Sequence, residues 1–143
     1  MDFMQWLKHE HETVRQLLQK IPDADEAARE DLFEQVKMEL QVHHQLEEKY
    51  LYPLGEGFGP TKQLAQHAID ETRKAEQMMS EMDPSDAEFE EQIREFTQMI
   101  EDHVEEEENE LVPQLMKDVP REQQDKLVRI LEEAKKQAIA SAE

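Results

Sequence analysis

The stretch HHQLEEKYLYP, residues 43–53, recurs sixty residues later as HVEEEENELVP, residues 103–113. In each copy a histidine lies ten residues before the proline, and a glutamate lies six residues before it. An H-x-x-x-E spacing is about one helical turn, so both side chains of a pair leave the same face of a helix. The repeat therefore predicts two similar helical half-sites, each ending at a proline.

The residues around these two stretches are typical of helices. The only glycines are Gly55, Gly57 and Gly59, and good helix formers dominate elsewhere. Six prolines separate five helical segments. We place the five helices at about residues 2–20, 25–52, 61–82, 85–111 and 121–140. The fourth is predicted to begin at Ser85, where S-D-A-E offers a capping box. The sequence predicts a single all-α domain over residues 1–143. Its core is an antiparallel up-down four-helix bundle over about 3–115, and an additional short helix at about 120–140 packs across it.

Composition excludes several classes of protein. The 143 residues contain no cysteine, which removes disulfides, zinc fingers, iron–sulfur clusters and thiol nucleophiles. A formal charge of -20 repels nucleic acid and anionic membranes, so we expect neither as a partner. Because the N-terminus lacks a signal-peptide pattern and no long apolar run occurs, we expect a soluble, cytoplasmic protein, either monomer or dimer.

Histidines interrupt the predicted apolar stripes, one on each of the first four helices. On the third helix the predicted inward stripe is Leu64, His67, Glu71, Ala75, Met78 and Met82. A single histidine on such a stripe is usually a core residue. Four such histidines, one on each of four helices, instead indicate a shared site. Burying two glutamates beside them without partners would cost several kcal/mol each, roughly, and no basic residue lies near them on these stripes. A bound cation resolves this, and imidazole with carboxylate favours iron or manganese over structural zinc. The predicted ligands are His11, His43, Glu47, His67, His103 and Glu107.

Three further residues are weaker candidates. Glu71 comes four residues after the histidine of the third helix, and it either binds the metal, bonds to a ligand histidine, or faces water at the end of the bundle. His44 is turned about 100° from His43, so we expect a boundary position rather than ligation. Tyr50 follows Glu47 by one turn and either donates a hydrogen bond to that carboxylate or packs in the core.

The complete spaced set resembles the hemerythrin-like, or HHE cation-binding, domains over about residues 3–115. Those domains carry a histidine on the first helix, H-x-x-x-E before a proline on the second, a histidine on the third and H-x-x-x-E on the fourth. The resemblance implies a di-iron centre, oxo- or hydroxo-bridged, with iron expected ahead of manganese. Implied ligands are His11 and His43 on one iron, His67 and His103 on the other, and Glu47 and Glu107 bridging.

One position departs from the oxygen-carrying members of that family. They have a second histidine four residues after the first on the third helix, where this chain has Glu71. The departure favours redox chemistry or sensing over reversible oxygen carriage. Our first hypothesis is a di-iron protein that reacts with oxygen, hydrogen peroxide or nitric oxide, which includes an oxidoreductase that consumes peroxide or nitric oxide. The alternatives are an oxygen- or iron-binding or sensing module without turnover, and a metal-free helical interaction protein.

Overall fold

Aspartates begin the first two helices of the computed structural model, which describes residues 1–142. The Asp2 carboxylate accepts a hydrogen bond from the Gln5 N–H, and the Gln5 side chain accepts one from the Asp2 N–H. This reciprocal cap opens α1, Phe3–Lys20. Asp25 caps α2, Glu26–Leu46, through the N–H of Ala28. Local capping therefore sets the starts of the first hairpin.

Both repeated stretches, residues 43–53 and 103–113, contain a π-helical turn that begins at their glutamate. The first turn, Glu47–Leu51, joins α2 to α3, Tyr52–Glu56. The second, Glu107–Leu111, joins α5, Phe89–Glu106, to α6, Val112–Met116. Pro53 and Pro113 follow these turns and have no N–H to donate to the preceding α-turn. The wider turn accommodates the missing hydrogen bond without ending the helix.

The remaining elements complete the bundle. A short 3₁₀ turn, Gly59–Thr61, leads into α4, Lys62–Glu81, and α7 spans Arg121–Ala142. Within residues 1–142 the rods α1, α2–α3, α4 and α5–α6 form the predicted up-down four-helix bundle, and α7 packs against α1 and α2. The fold prediction is confirmed, although α7, at 22 residues, is not short. No helix in this described part combines the length and apolarity of a membrane span.

The predicted start of the fourth helix at Ser85 is wrong. Residues 84–88 form turns instead, held by Asp83, which accepts from the Ser85 N–H, and by Asp86, which accepts from the Glu88 N–H. The aspartates satisfy these backbone donors before a helix begins, so α5 starts only at Phe89.

The core consists of two apolar clusters, one at each end of the bundle. On α1, Leu7 belongs to one cluster and Val14 to the other. On the α5–α6 rod, Leu111 belongs to the same cluster as Leu7, and Ile100 belongs to the same cluster as Val14. Close packing at one end depends on Gly55, because an added Cβ there would lie 2.8 Å from the Cβ of Ala65. The layer between the two clusters is polar and contains the candidate site.

Candidate metal centre

Five of the six predicted ligands lie together in this polar layer, on three helical rods. None is more than 8% exposed, and Glu107 is only 1% exposed. The five are His11, His43, Glu47, His103 and Glu107. Placing five titratable groups inside a core is unfavourable unless they share protons or a cation.

The donor atoms form two groups that share one carboxylate. His11, His43 and Glu107 place one ligand atom each within 4.8 Å of one another, and so do Glu47, His103 and Glu107. The two oxygens of Glu107 point to different groups: Oε1 lies 3.2 Å from His11 Nε2, and Oε2 lies 3.1 Å from His103 Nε2. The arrangement presents two adjacent donor sets joined by a carboxylate.

Several of these buried atoms have no hydrogen-bond partner. They are the Nε2 atoms of His11 and His43, both carboxylate oxygens of Glu47, and Oε1 of Glu107. His43 Nε2 is only 2.9 Å from Glu47 Oε1, yet the pair does not meet hydrogen-bond geometry. Unpartnered buried donors and acceptors are rare in folded proteins. Nitrogen and oxygen atoms converging without sulfur suit a hard or borderline cation, so the residues fit a metal ion.

Proton sharing sets the charges of the metal-free cluster. Burial lowers the pKa of His103, but the carboxylates of Glu107 and Glu71 together outweigh burial and raise it to about 10. Burial also opposes the charge on His11, but the neighbouring carboxylates of Glu107 and Glu108 raise its pKa above its ordinary value. Burial and the neighbouring His11 lower the pKa of His43 well below its usual range. Burial and the nearby Glu107 charge raise the pKa of Glu47 well above its usual range, whereas His103 outweighs burial and lowers that of Glu107. Glu107 is therefore the anion of the cluster, and His43 is neutral.

Carboxylates outside the cluster orient two of its histidines. Glu108 Oε2 lies 2.7 Å from His11 Nδ1, which turns Nε2 inward. Glu71 Oε1 lies 3.2 Å from His103 Nδ1 in the same way. Such carboxylate–histidine pairs are the usual support of metal-binding imidazoles. Of the alternatives left open for Glu71, the structure shows the hydrogen bond to a predicted ligand histidine. Glu108 was missed because its run of four glutamates looks like a solvated surface.

Tyr52, and not Tyr50, is the tyrosine at the site. Its hydroxyl donates to Glu107 Oε2 at 2.9 Å and lies 3.4 Å from His103 Nε2. In the π-turn the Tyr52 N–H bonds to the Glu47 carbonyl, five residues back, so the turn places Tyr52 above Glu47. Tyr50 is only half-buried, packing against an apolar cluster. Of the two roles left open for Tyr50, the structure shows packing rather than the hydrogen bond to Glu47.

His44 is buried rather than at the boundary, at 1% exposure. Its ring lies 6.2 Å from that of His43 and 6.5 Å from that of His103, and its Nδ1 lies 3.3 Å from Glu76. Burial and the neighbouring His103 lower its pKa to about 4, so the ring is neutral. Ligation by His44 stays a prediction.

His67 is the one predicted ligand that the structure does not bring to the buried cluster. Its side chain is 58% exposed. The inward face of α4 is formed by Ala65, Ala68, Thr72, Ala75 and Met79, about one residue out of phase with the predicted stripe. Small alanines fill this face because α4 packs closely on its neighbours, whereas the prediction followed the larger Leu64 and Met78. The inward orientation was wrong, and ligation by His67 stays a prediction.

Comparisons with known proteins agree with this architecture. The model of the family described as hemerythrin HHE cation binding domain matches residues 2–115. A crystal structure of a hemerythrin HHE cation binding domain-containing protein from Mycobacterium kansasii superposes with a TM-score of 0.86 at 23% identity, covering 99% of this chain and 90% of that one. A DNA nickase from Nostoc sp. is 26% identical over an alignment of 127 residues, and the match covers 86% of this chain. The chain spans only 36% of that relative's length.

Proposed function

The chain belongs to the hemerythrin HHE cation-binding domain family, and from this premise we propose that it is a di-iron protein that reacts with oxygen, hydrogen peroxide or nitric oxide. One observation carries the proposal: two buried donor groups share Glu107. Each group combines imidazole and carboxylate, the mixture that suits iron.

The proposed ligands divide between two ion positions. One ion would be held by His11 and His43, the other by Glu47 and His103, with Glu107 common to both. Support for the shared role comes from the two oxygens of Glu107, which face different histidines at 3.2 and 3.1 Å. When bound, two iron ions supply reversible exchange of electrons with a small oxidant.

The surroundings of the donor groups favour small reactants. Because no proposed ligand is more than 8% exposed, a bulky substrate cannot reach these atoms without opening the bundle. Trp6 stacks on His43 with ring centroids 6.3 Å apart, and the apolar clusters close the layer from both ends. These side chains exclude bulk water. Tyr52 and Thr72, whose hydroxyl oxygens lie 3.2 Å apart, supply polar groups at the edge of the centre.

The charge of Glu71 bears on whether the centre turns over a reactant or only binds it. Glu71 holds His103 from the outside, and a carboxylate there adds negative charge beside the centre. Added negative charge stabilises the more oxidised metal, which favours redox reaction over reversible oxygen carriage. The alternative is a module that binds or senses oxygen or iron without turnover.

The test uses the full chain loaded with Fe²⁺ under anaerobic conditions. Stopped-flow mixing with oxygen, hydrogen peroxide and nitric oxide in separate experiments follows the optical spectrum and the consumption of each reactant. We expect at least one of them to react, and Glu107→Gln to abolish the reaction. The control Glu95→Gln makes the same change on the exposed face of α5 and should react as the wild type does.

The outcomes separate the two functions. Consumption of many equivalents of one reactant per chain supports turnover. A reversible spectrum at one equivalent per centre supports binding or sensing instead. An iron-loaded protein inert to all three reactants contradicts the proposal.

A further inference from the structure

A lysine of α7 lies across the groove between α1 and α2. Lys135 Nζ donates a hydrogen bond to Glu10 Oε2 on α1 at 2.6 Å, and it lies 3.4 Å from Glu39 Oε2 on α2. The Glu10 side chain is only 7% exposed, and those of Lys135 and Glu39 are 23% and 24% exposed. Charges that are partly buried in this way are screened by salt much less than surface charges. Lys135 therefore links two helices of the bundle electrostatically.

The two glutamates place this link at the level of the metal centre. Glu10 immediately precedes His11 in α1, and Glu39 is about one helical turn before His43 in α2. The rings of His11 and His43 lie 5.2 Å apart, centroid to centroid. Because a helix is rigid over one turn, the separation of the two glutamates and that of the two histidines change together. Lys135 therefore acts on the distance between two histidines that share one proposed ion.

The apolar face of α7 supports the same pair of helices. Val128 and Leu131 are at most 3% exposed and belong to the core cluster that contains Trp6 of α1. Trp6 in turn stacks on the ring of His43, which is on α2. Lys135 follows Leu131 by four residues, so the charged link and the apolar contact lie on one face of α7. Both contacts hold α1 and α2 together beside the centre.

The charge of the lysine opposes separation of the two helices. Among residues 1–142, no other basic side chain forms an ion pair with Glu10 or Glu39. Without Lys135, a buried carboxylate would face a second carboxylate across the groove. Burying an unpaired charge is unfavourable and like charges repel, so α1 and α2 would move apart.

We propose that Lys135 is a positioning residue of the metal centre, which fixes the separation of His11 and His43 and thereby the affinity for the ion that they hold. The proposal rests on the proposed function, since it concerns one of the two ion positions assigned there. α7 begins at Arg121, beyond residues 2–115 that the family model matches. The centre is thus supported by an element outside the matched domain.

The experiment is titration of the metal-free full chain with Co²⁺, followed by calorimetry and by visible absorption, which reports nitrogen and oxygen coordination. The variants are Lys135→Met, Lys135→Arg and Glu39→Gln. Their matched controls are Lys136→Met, an exposed neighbour on α7, and Glu30→Gln, an exposed glutamate of α2. Circular dichroism at the titration temperature verifies that each protein is folded.

The expected result is a selective loss. Lys135→Met should bind one of the two ions on the order of tenfold more weakly, because a ligand has to be held within about 0.5 Å of its working position. The other ion should bind nearly as it does in the wild type. Lys135→Arg keeps the charge and should restore most of the affinity. Glu39→Gln leaves the buried Glu10 paired and should weaken the same ion to a smaller extent.

Selective weakening separates positioning from stability, because general destabilisation of the fold does not change the affinity of the folded protein for one ion alone. Two results would overturn the positioning role. One is Lys135→Met and Glu39→Gln both binding two ions as tightly as their controls. The other is equal weakening of both ions in Lys135→Met without recovery in Lys135→Arg. If Lys135→Met is unfolded, Glu39→Gln with its control decides.

Failure of the proposed function looks different. An iron-loaded wild type that is inert to oxygen, hydrogen peroxide and nitric oxide would contradict the proposed reaction and leave the Co²⁺ result standing. A wild type that binds no Co²⁺ would overturn the ion positions and the role of Lys135 together.

Discussion

Glu107→Gln tests the shared carboxylate with the smallest change of shape. Glutamine has the size of glutamate and can still accept the hydrogen bond from Tyr52, which is 2.9 Å away. It lacks the negative charge, and only one of its two terminal atoms can bind a cation. Because Glu107 belongs to both donor groups, the substitution should weaken both ion positions at once.

The expected magnitude follows from linkage. Mutation of a residue that only hydrogen-bonds to a metal ligand lowers metal affinity about 10–100-fold. Loss of a shared ligand should therefore lower metal affinity on the order of 100-fold. At an ion concentration of about 1,000 times the wild-type Kd, each bound ion stabilises the fold by about 4.1 kcal/mol, and a 100-fold weaker Kd leaves about 1.4 kcal/mol per ion. The loss of about 2.7 kcal/mol per ion corresponds to about 5–10 °C in Tm for each ion position, in a chain near 150 residues.

The assay is thermal unfolding with and without Co²⁺, followed by circular dichroism. Each protein is compared with its own metal-free form, so any effect of the substitution on the empty fold cancels. Glu95→Gln is the control for loss of one charge from α5 and should keep the full metal-dependent rise in Tm. A Glu107→Gln protein with the same rise as the wild type would refute the reasoning.

Four further outcomes are expected. Tyr52→Phe should lower metal affinity about 10–100-fold by removing the hydrogen bond to Glu107, whereas Tyr50→Phe should not, as titration with Co²⁺ would reveal. Metal binding should release protons at neutral pH, because His11, His103 and Glu47 have raised pKa values and must lose their protons to bind the ion. Affinity should therefore fall as pH falls, which calorimetry in two buffers can detect. Lys135→Met should lower the free energy of unfolding in urea by about 1–3 kcal/mol, since the buried Glu10 loses its 2.6 Å partner; an unchanged midpoint would contradict this. Supercoiled plasmid should stay intact with the metal-loaded chain, because the acidic surface repels duplex DNA; nicked product would argue against it.

The repeat and the helical periodicity predicted the bundle and most of the buried cluster. Each H-x-x-x-E pair lies within regular α-helix up to its glutamate, so ordinary spacing placed His43 with Glu47 and His103 with Glu107 correctly. His11 followed from its position on the apolar stripe of α1. These predictions needed only the regular geometry of one helical turn.

The errors come from places where that geometry changes. The π-turn after Glu47 shifts the following residues, so Tyr52 rather than Tyr50 reaches the centre. Such a turn has no clear signal in the sequence except the proline six residues after the glutamate. On α4 the rotation was misjudged because close packing favours alanine over the larger residues that usually mark a core. That rotation explains why Thr72 reaches the site and His67 does not.

The most direct measurement of the central claim is the iron content of the full chain. The metal-free protein is loaded with Fe²⁺ under anaerobic conditions, separated from free iron by gel filtration, and analysed for metal and protein together with Glu107→Gln. We predict two iron ions per wild-type chain and a large loss of iron in the variant. Less than one iron per wild-type chain, or equal iron in both proteins, would contradict a buried centre built around Glu107.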